Sequence, residues 1–398
     1  MPVEIIGMVA TRDASEIQGP LVDGPVADWT DGPVIDPGYL EALSRAHETA
    51  GFDRVLIGYG AVAPDGWAVA STVLSATTKL KVMVAHRPGI VQPLVLARHA
   101  TTLDHLSGGG RIAIHFITGG DEVDQHREGD FAAHDDRYRR TGETMDIVRR
   151  LMTDAAPFDY TGEFFHYEGA FISVKPTDEG AIPFYFGGAS PSAIHVGAHH
   201  ADVYAFWGEP LAATAARIET IESIAQPLGR RLRFSVSVRP IIADTEEAAW
   251  AKAEHFAEVA AERIRCAAER TNEGGTRASG LGSQGYATYS VKRDASMTSS
   301  VGRQRLIEMS SAQDVFDERL WMKIANLTGA AGNSTALVGT PEQVTEALLR
   351  YYDLGVTTLL LKGFDPLCDV VDFGERLLPL IREGVRRRDE KDGAGTSR

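Results

Sequence analysis

Short apolar, β-branched runs alternate with amphipathic stretches along most of the chain. The runs Ile5–Val9, Arg54–Ile57, Leu80–Ala85, Ile112–Thr118, Phe184–Phe186, Val203–Phe206, Phe234–Ile241 and Thr357–Leu361 read as strands. Helical periodicity falls on Pro37–Ala50, Asp65–Ala76, Pro93–Leu106, Arg137–Met152, Ser192–His199, Leu211–Pro227, Thr245–Glu262 and Pro341–Leu354. Strands apolar at nearly every position belong to a parallel sheet covered on both faces. Eight strand–helix alternations therefore predict an α/β chain closed into a (β/α)8 barrel. An open Rossmann-like sheet is the alternative, and the first strand lacks the Gly-x-Gly-x-x-Gly that it would need.

Two segments exceed a minimal barrel. The stretch at about 157–180 contains Phe158-Asp159-Tyr160-Thr161-Gly162-Glu163-Phe164-Phe165, which reads as a hairpin with a Thr-Gly turn. The longer insertion, 266–328, has a centre rich in Gly, Ser and Thr and ends in the cationic run Arg303-Gln304-Arg305. Long loops within compact proteins are commonly functional, so this one is expected to be a mobile lid. The remainder predicts one domain over 1–385 and a disordered, charged tail over 386–398.

Composition narrows the function classes. At 398 residues and 43% hydrophobic content, the chain can bury a large core. Forty Lys and Arg against 55 Asp and Glu give a net charge of −15, which argues against nucleic acid and anionic membranes as partners. No apolar run approaches the roughly 18 residues of a membrane span. The start Met1-Pro2-Val3-Glu4 lacks the basic region of a signal peptide, so a cytoplasmic protein is expected. Cys266 and Cys368 fit neither a disulfide framework nor a zinc site. His199-His200 lacks paired carboxylates at ligand spacing, and no metal is expected.

In such a barrel, chemistry gathers where the strands end. Thr11 and Arg12 follow the first strand, Tyr59 the second, and His86 and Arg87 the third. His115 and Thr118 belong to the fourth, Gly188 and Ser190 follow the fifth, and Trp207 follows the sixth. Arg239 lies in the seventh, within the alternation Ser235-Val236-Ser237-Val238-Arg239, and Lys362 and Phe364 follow the eighth. Together these describe a pocket for an anion with an apolar portion. Gly187-Gly188-Ala189-Ser190 stops a strand directly before a helix, where bare backbone and unpaired N–H groups suit a phosphate. An ordinary turn with a serine N-cap is the plain alternative. Arg87 beside Pro88 is expected to pair with a carboxylate, and Trp207 admits simple rim packing. A phosphate turn without a nucleophile elbow or P-loop suggests an organic cofactor.

Several motifs, in order, carry a resemblance to a known family. They include Pro37-Gly38-Tyr39-Leu40, Ala50-Gly51-Phe52-Asp53-Arg54-Val55-Leu56-Ile57, Arg87-Pro88 and Ala100-Thr101-Thr102-Leu103-Asp104. Thr118-Gly119-Gly120-Asp121, Arg137-Tyr138, Tyr185-Phe186-Gly187-Gly188-Ala189-Ser190 and Trp207-Gly208-Glu209-Pro210 follow. The last are Gly302-Arg303-Gln304-Arg305 and Gly332-Asn333-Ser334-Thr335-Ala336-Leu337-Val338-Gly339. Over most of its length the chain resembles the bacterial luciferase-like flavin monooxygenases, within them the alkanesulfonate monooxygenases.

The resemblance implies a TIM barrel with insertions, reduced FMN delivered by a separate NAD(P)H-dependent flavin reductase, O2 as co-substrate, and a homodimer or homotetramer. It implies Thr118 near the flavin ring and Tyr138, Ala189 and Ser190, with Gly188, at the phosphate; Tyr59 and His115 complete the expected cofactor side. Arg305 takes the position of the lid arginine that orders over flavin and substrate. The catalytic set expected from strand ends and resemblance together is Arg239, Arg305, Trp207, Arg12 and His86. Departures fall on the substrate side. Ala63 stands where the alkanesulfonate enzymes have cysteine, Arg12 and Arg239 where they have histidine, Ser237 where they have arginine, Phe364 for tyrosine and Pro366 for histidine. The implied activity is C–S cleavage of an organosulfonate, an alkanesulfonate or a sulfosugar, to sulfite and an aldehyde. Hydroxylation of a neutral compound, sulfone cleavage, a deazaflavin-dependent dehydrogenase and a flavin-binding protein without turnover are the alternatives.

Overall fold

A computed structural model describes residues 3–13, 35–119, 122–177, 182–272, 300–330 and 334–395. Its strands are β1 (Glu4–Met8), β2 (Arg54–Ile57), β3 (Lys81–His86), β4 (Ile112–Phe116), β5 (Phe158–Thr161), β6 (His166–Ala170) and β7 (Phe184–Gly187). There follow β8 (Val203–Trp207), β9 (Arg233–Ile242), β10 (Val315–Phe316), β11 (Leu320–Trp321), β12 (Ala336–Gly339) and β13 (Val356–Leu361). Eight of them close a parallel ring in the order β1-β2-β3-β4-β7-β8-β9-β13 and back to β1. These are the eight predicted strands, and the (β/α)8 barrel holds.

Helices pack around the ring: α1 (Pro37–Ala50), α2 (Gly66–Ala76), α3 (Pro93–Leu106), α4 (Glu122–Arg127), α5 (His134–Thr153), α6 (Pro191–His200) and α7 (Leu211–Ala225). The rest are α8 (Glu246–Asn272), α9 (Val301–Ala312), α10 (Lys323–Thr328), α11 (Pro341–Asp353), α12 (Pro366–Arg376) and α13 (Leu378–Gly395). Proline in the first turn starts several of them, where its missing N–H costs nothing. Among the described residues, no helix is long and apolar enough to cross a membrane.

Strand alternation sorts the side chains into two sets. Ile6, Met8, Leu56, Met83, Ala85, Ala113, Tyr185 and Leu360 fill the barrel interior. Their neighbours Ile5, Val55, Ile57, Val82, Val84, Ile114 and Phe186 face outward beneath the helices. An ionic plug joins the starts of four strands. Glu4 accepts from Arg54 Nε at 2.9 Å and from the Tyr185 hydroxyl at 2.5 Å, with Arg233 3.6 Å away. Burial opposes the Glu4 charge, but Arg54, Tyr185 and Arg233 outweigh it and hold the carboxyl below its ordinary pKa.

Several elements differ from the sequence expectation. The hairpin β5–β6 forms, but its ends meet across 162–165, with Gly162 N–H donating to Phe165 O at 2.9 Å, rather than through a two-residue Thr-Gly turn. The helix expected over Thr245–Glu262 runs on to Asn272. β12 was not anticipated, because four apolar residues after a glycine-rich stretch carry no periodicity. It extends the sheet beside the outer half of β9, with Ala336 opposite Arg239 and Gly339 opposite Ile242. The tail read as disordered is helical through Gly395. Leu378, Ile381 and Val385 bury one stripe of α13, and its charges are tied down. Arg388 bonds Asp353 at 2.7 Å and Glu346 at 2.9 Å, and Tyr352 donates to Asp389 at 2.6 Å. The glycine-rich centre of the expected lid, 273–299, lies outside the described residues.

His86 shows how parity decides a role. On β3, Met83 and Ala85 point inward, so His86 points outward, where its ring meets Phe116 edge-on at 6.3 Å. It is buried with Nε2 unbonded, and burial, with His99 nearby, lowers its pKa to about 3. The expected catalytic placement of His86 is thus corrected: the ring belongs to the packing between sheet and helices. An unfolded histidine takes up its proton near pH 6.5, before this folded one does. Stability is therefore full above that value and falls as the pH drops toward 3. In denaturant titrations, His86→Leu should reduce the loss of stability between pH 7 and pH 5 by about 2 kcal/mol. An unchanged loss would mean that His86 is protonated in the fold.

Candidate active site

A cavity of about 250 Å³ opens where the parallel strands end. Its floor is the top of the apolar interior: Met8, Leu56, Met83, Tyr185, Ala205 and Leu360. Tyr59, His115, Thr118, Tyr138, Gly188, Ala189, Ser190 and Trp207, all singled out from the sequence, line it together. Ser235 and Ser237 enter from β9, inward-facing in the expected alternation.

The polar atoms have defined valences. Thr141 Oγ1 donates to Arg137 O at 2.8 Å and lies 3.0 Å from Thr118 Oγ1. With its one proton spent, Thr141 must accept from Thr118, so Thr118 can offer a ligand only lone pairs. His115 hydrogen-bonds the Tyr185 backbone, and its Nδ1 is buried without a partner. Burial lowers its pKa to about 4, leaving a neutral ring on the cavity wall at pH 7. The Tyr59 hydroxyl donates to Glu128, and burial together with that carboxylate raises its pKa. Arg87 pairs with Asp124 at 2.6 Å and Glu128 at 2.5 Å, as expected, while its guanidinium lies 5.0 Å from the Tyr59 ring centre. This cluster ties the loops after β2 and β3 to α4, and so fixes Tyr59.

One end of the cavity gathers hydroxyls, helix starts and bare backbone. Ser190 caps α6, accepting from Ala193 N at 3.2 Å, and shares a hydrogen bond with the Tyr138 hydroxyl. A Cβ on Gly188 would lie 2.5 Å from Ala193 Cβ, so only glycine permits this turn to approach its helix. A second helix start meets the first. Ser300 caps α9, and Ser300, Val301 and Gly302 line the same cavity. A Cβ on Gly302 would stand 3.3 Å from the Trp207 ring and 3.8 Å from Ala189. Two helix N-termini, two hydroxyls and bare backbone thus converge, and unpaired N–H groups aimed at one spot favour negative charge.

The remaining expected residues lie outside the cavity lining. Arg305 pairs with Glu209 at 2.8 Å. Arg239 shares the inward parity of Ser237 but stands higher, donating from Nη1 to Gly363 O at 2.9 Å with its guanidinium 4.8 Å from the Phe364 ring centre. Arg12 is 4% exposed, its Nη1 is buried without a partner, and burial lowers its pKa. Sequence reasoning passed over Glu209 and Arg217, which line the cavity and pair at 2.8 Å. Glu209 could have been found inside Trp207-Gly208-Glu209-Pro210; Arg217, one of many helical arginines, carried no signal. Among the described residues, no three His, Cys, Asp or Glu side chains group as a metal site.

Fold and cavity define a (β/α)8-barrel protein with a pocket at the C-terminal ends of its strands. The family model for luciferase-like monooxygenases matches residues 17–358, and the chain belongs to that family. Solved structures agree on the architecture. A riboflavin lyase, RcaE, with modified FMN and the substrate riboflavin, is 21% identical, covering 96% of this chain and 92% of its own, at a TM-score of 0.69. The EDTA monooxygenase EmoA from Chelativorans sp. BNC1 is 15% identical over 96% of this chain and 94% of its own, at 0.68. An F420-dependent secondary alcohol dehydrogenase with an F420–acetone adduct is 18% identical over 96% and 99%, at 0.61. At these identities the likeness is one of fold.

Ser190→Asp keeps a residue able to cap α6 but sets a like charge against a bound phosphate. FMN affinity should fall about tenfold or more, and riboflavin, which lacks the phosphate, should lose less. Equal losses in fluorescence titrations would remove the anion end from Ser190.

Proposed function

We propose that the protein is a two-component monooxygenase that uses reduced FMN and O2 to cleave the C–S bond of an organosulfonate. The cavity fits the cofactor on three counts: the anion end at Gly188–Ser190, the apolar floor beneath a flat ring, and the unpartnered His115 Nδ1 on the wall. Tyr138, Ser190 and the two helix starts would hold the phosphate, and Thr118 would accept from a ring N–H. When bound, reduced FMN supplies the two electrons that activate O2. The substrate carbon gains one oxygen atom and becomes an aldehyde. Sulfur leaves with the C–S electron pair as sulfite, and the second oxygen atom leaves as water.

The observation that carries the sulfonate reading is Arg12. A buried guanidinium nitrogen without a hydrogen-bond partner among the described residues, here Arg12 Nη1, is costly, and an anionic substrate would complete it. Arg239 on β9 and Lys362 just after β13 are also buried, with Lys362 N–H donating to Val238 O at 3.2 Å. Thus β9, β13 and β1, consecutive in the ring, bring three cations to one sector of the mouth. The apolar floor and the cover from Trp207 and Gly302 would exclude water from the reacting atoms. A separate NAD(P)H-dependent reductase would supply reduced FMN, and the resemblance supports a homodimer or homotetramer.

One observation favours a second reading. Ser237, rather than arginine, faces the cavity from β9, and Glu209 there is already paired with Arg217. A substrate lodged wholly within that space would be neutral, and the reaction would be hydroxylation. The test is sulfite release from alkane-, aryl- and sugar-sulfonates with FMN and a generic flavin reductase. Sulfite production from one class is expected, with Arg12→Ala raising its KM about 30-fold or more and leaving FMN affinity within about twofold. No sulfite from any class, with oxygenation of a neutral compound instead, would favour hydroxylation. Turnover with F420 in place of FMN would make the protein a dehydrogenase.

A further inference from the structure

The bridge between α9 and the anion end runs through one carboxylate. Glu209 is 1% exposed and uses both oxygens: Oε2 accepts from Arg305 Nη2 at 2.8 Å and Oε1 from Arg217 Nη1 at 2.8 Å. Arg217 then donates from Nη2 to Gly188 O at 2.7 Å, within the anion-binding turn itself. Glu209 is anchored from behind, since the Tyr351 hydroxyl donates to its backbone carbonyl at 2.6 Å. Gly302 and Arg305 lie three residues apart, on one face of α9. That face meets the barrel twice, at Ala189 through the bare Gly302 and at Glu209 through Arg305.

Two cations share one anion here, so the bridge carries a net positive charge beside the turn. A neutral amide could not replace it, because its single oxygen serves one arginine and its NH2 would face the other. We propose that Glu209 is a positioning residue that couples the seating of α9 to occupancy of the anion end. With the bridge intact, the start of α9 rests against Ala189 and its free N–H groups reach an anion held at Gly188–Ser190. The anion in turn strengthens the seat of α9. The proposal rests on the reading that the anion is the FMN phosphate.

Hydrogen exchange across residues 301–312, with and without FMN or riboflavin, reads this coupling directly. In the unaltered protein FMN should slow exchange over α9, and riboflavin should do so much less. In Glu209→Gln the slowing should disappear, and FMN affinity should fall about tenfold while that for riboflavin changes less than about twofold. Glu209→Asp, which keeps both acceptor oxygens on a shorter stem, should recover part of the protection. Arg305 is one-third exposed, so Arg305→Gln should fold and reproduce the loss from the other side of the bridge. Protection by FMN in both Glu209→Gln and Arg305→Gln as strong as in the unaltered protein would overturn the coupling while leaving the FMN reading intact. If the unaltered protein bound FMN and riboflavin with equal affinity and equal protection, the FMN reading would fail, and the coupling with it.

Discussion

Closure of the strand ring is the constraint on which everything else in this protein depends. Once eight parallel strands close side by side into a ring, the ring has no edge, and each of its residues must face either the interior or the helices. His115 and His86 illustrate the force of that division. They sit on adjacent strands, and both are held neutral by burial, yet one forms a cavity wall and the other is packing beneath helices. Glu4 and its partners fill one end of the interior with paired charge. The mouth is left as the place where polar atoms can remain unmatched.

Much of this was legible in the sequence because period and punctuation are local signals. The apolar runs mark every barrel strand to within a few residues, and the Gly-Gly-Ala-Ser stop marks a turn, Gly188–Ser190, that lines the cavity. Side-chain direction was harder. His86 ends β3 and Arg87 follows it, and only the observed register of Met83 and Ala85 assigns them opposite roles. Partners distant in sequence were not legible at all. Glu209 meets Arg305 across 96 positions, and nothing in either residue's neighbourhood announces the other. The tail at 386–395 misled because charge was read as solvation, whereas Asp389 and Arg388 have fixed partners on α11.

The mouth separates two kinds of positive charge. At β7 and β8 it is mostly backbone dipole and two arginines that share Glu209, beside two helix starts. At β9, β13 and β1 it is whole side-chain charge, buried on Arg239, Lys362 and Arg12. A fixed cofactor is best served by the first, since oriented N–H groups cost no side-chain entropy on binding. A transient substrate suits the second, where one guanidinium can be satisfied and released on each cycle. Family membership is compatible with many chemistries, and the sulfonate proposal rests on this division of the mouth.

β9 is twice the length of its neighbours and serves two ladders. Its first half pairs with β8 and β13 inside the ring, and its second half pairs with β12. Above that second half lies a separate hydrophobic cluster of Ile241, Phe256, Trp321, Ile324, Ala336 and Val338. One continuous strand therefore runs as a spine through two cores. Melting of the outer cluster would strip β9 of its upper partner and loosen the rung that carries Arg239. The segment carrying Trp321 and Ile324 is thus not an appendage that can unfold by itself, and the two cores should behave as a single cooperative unit.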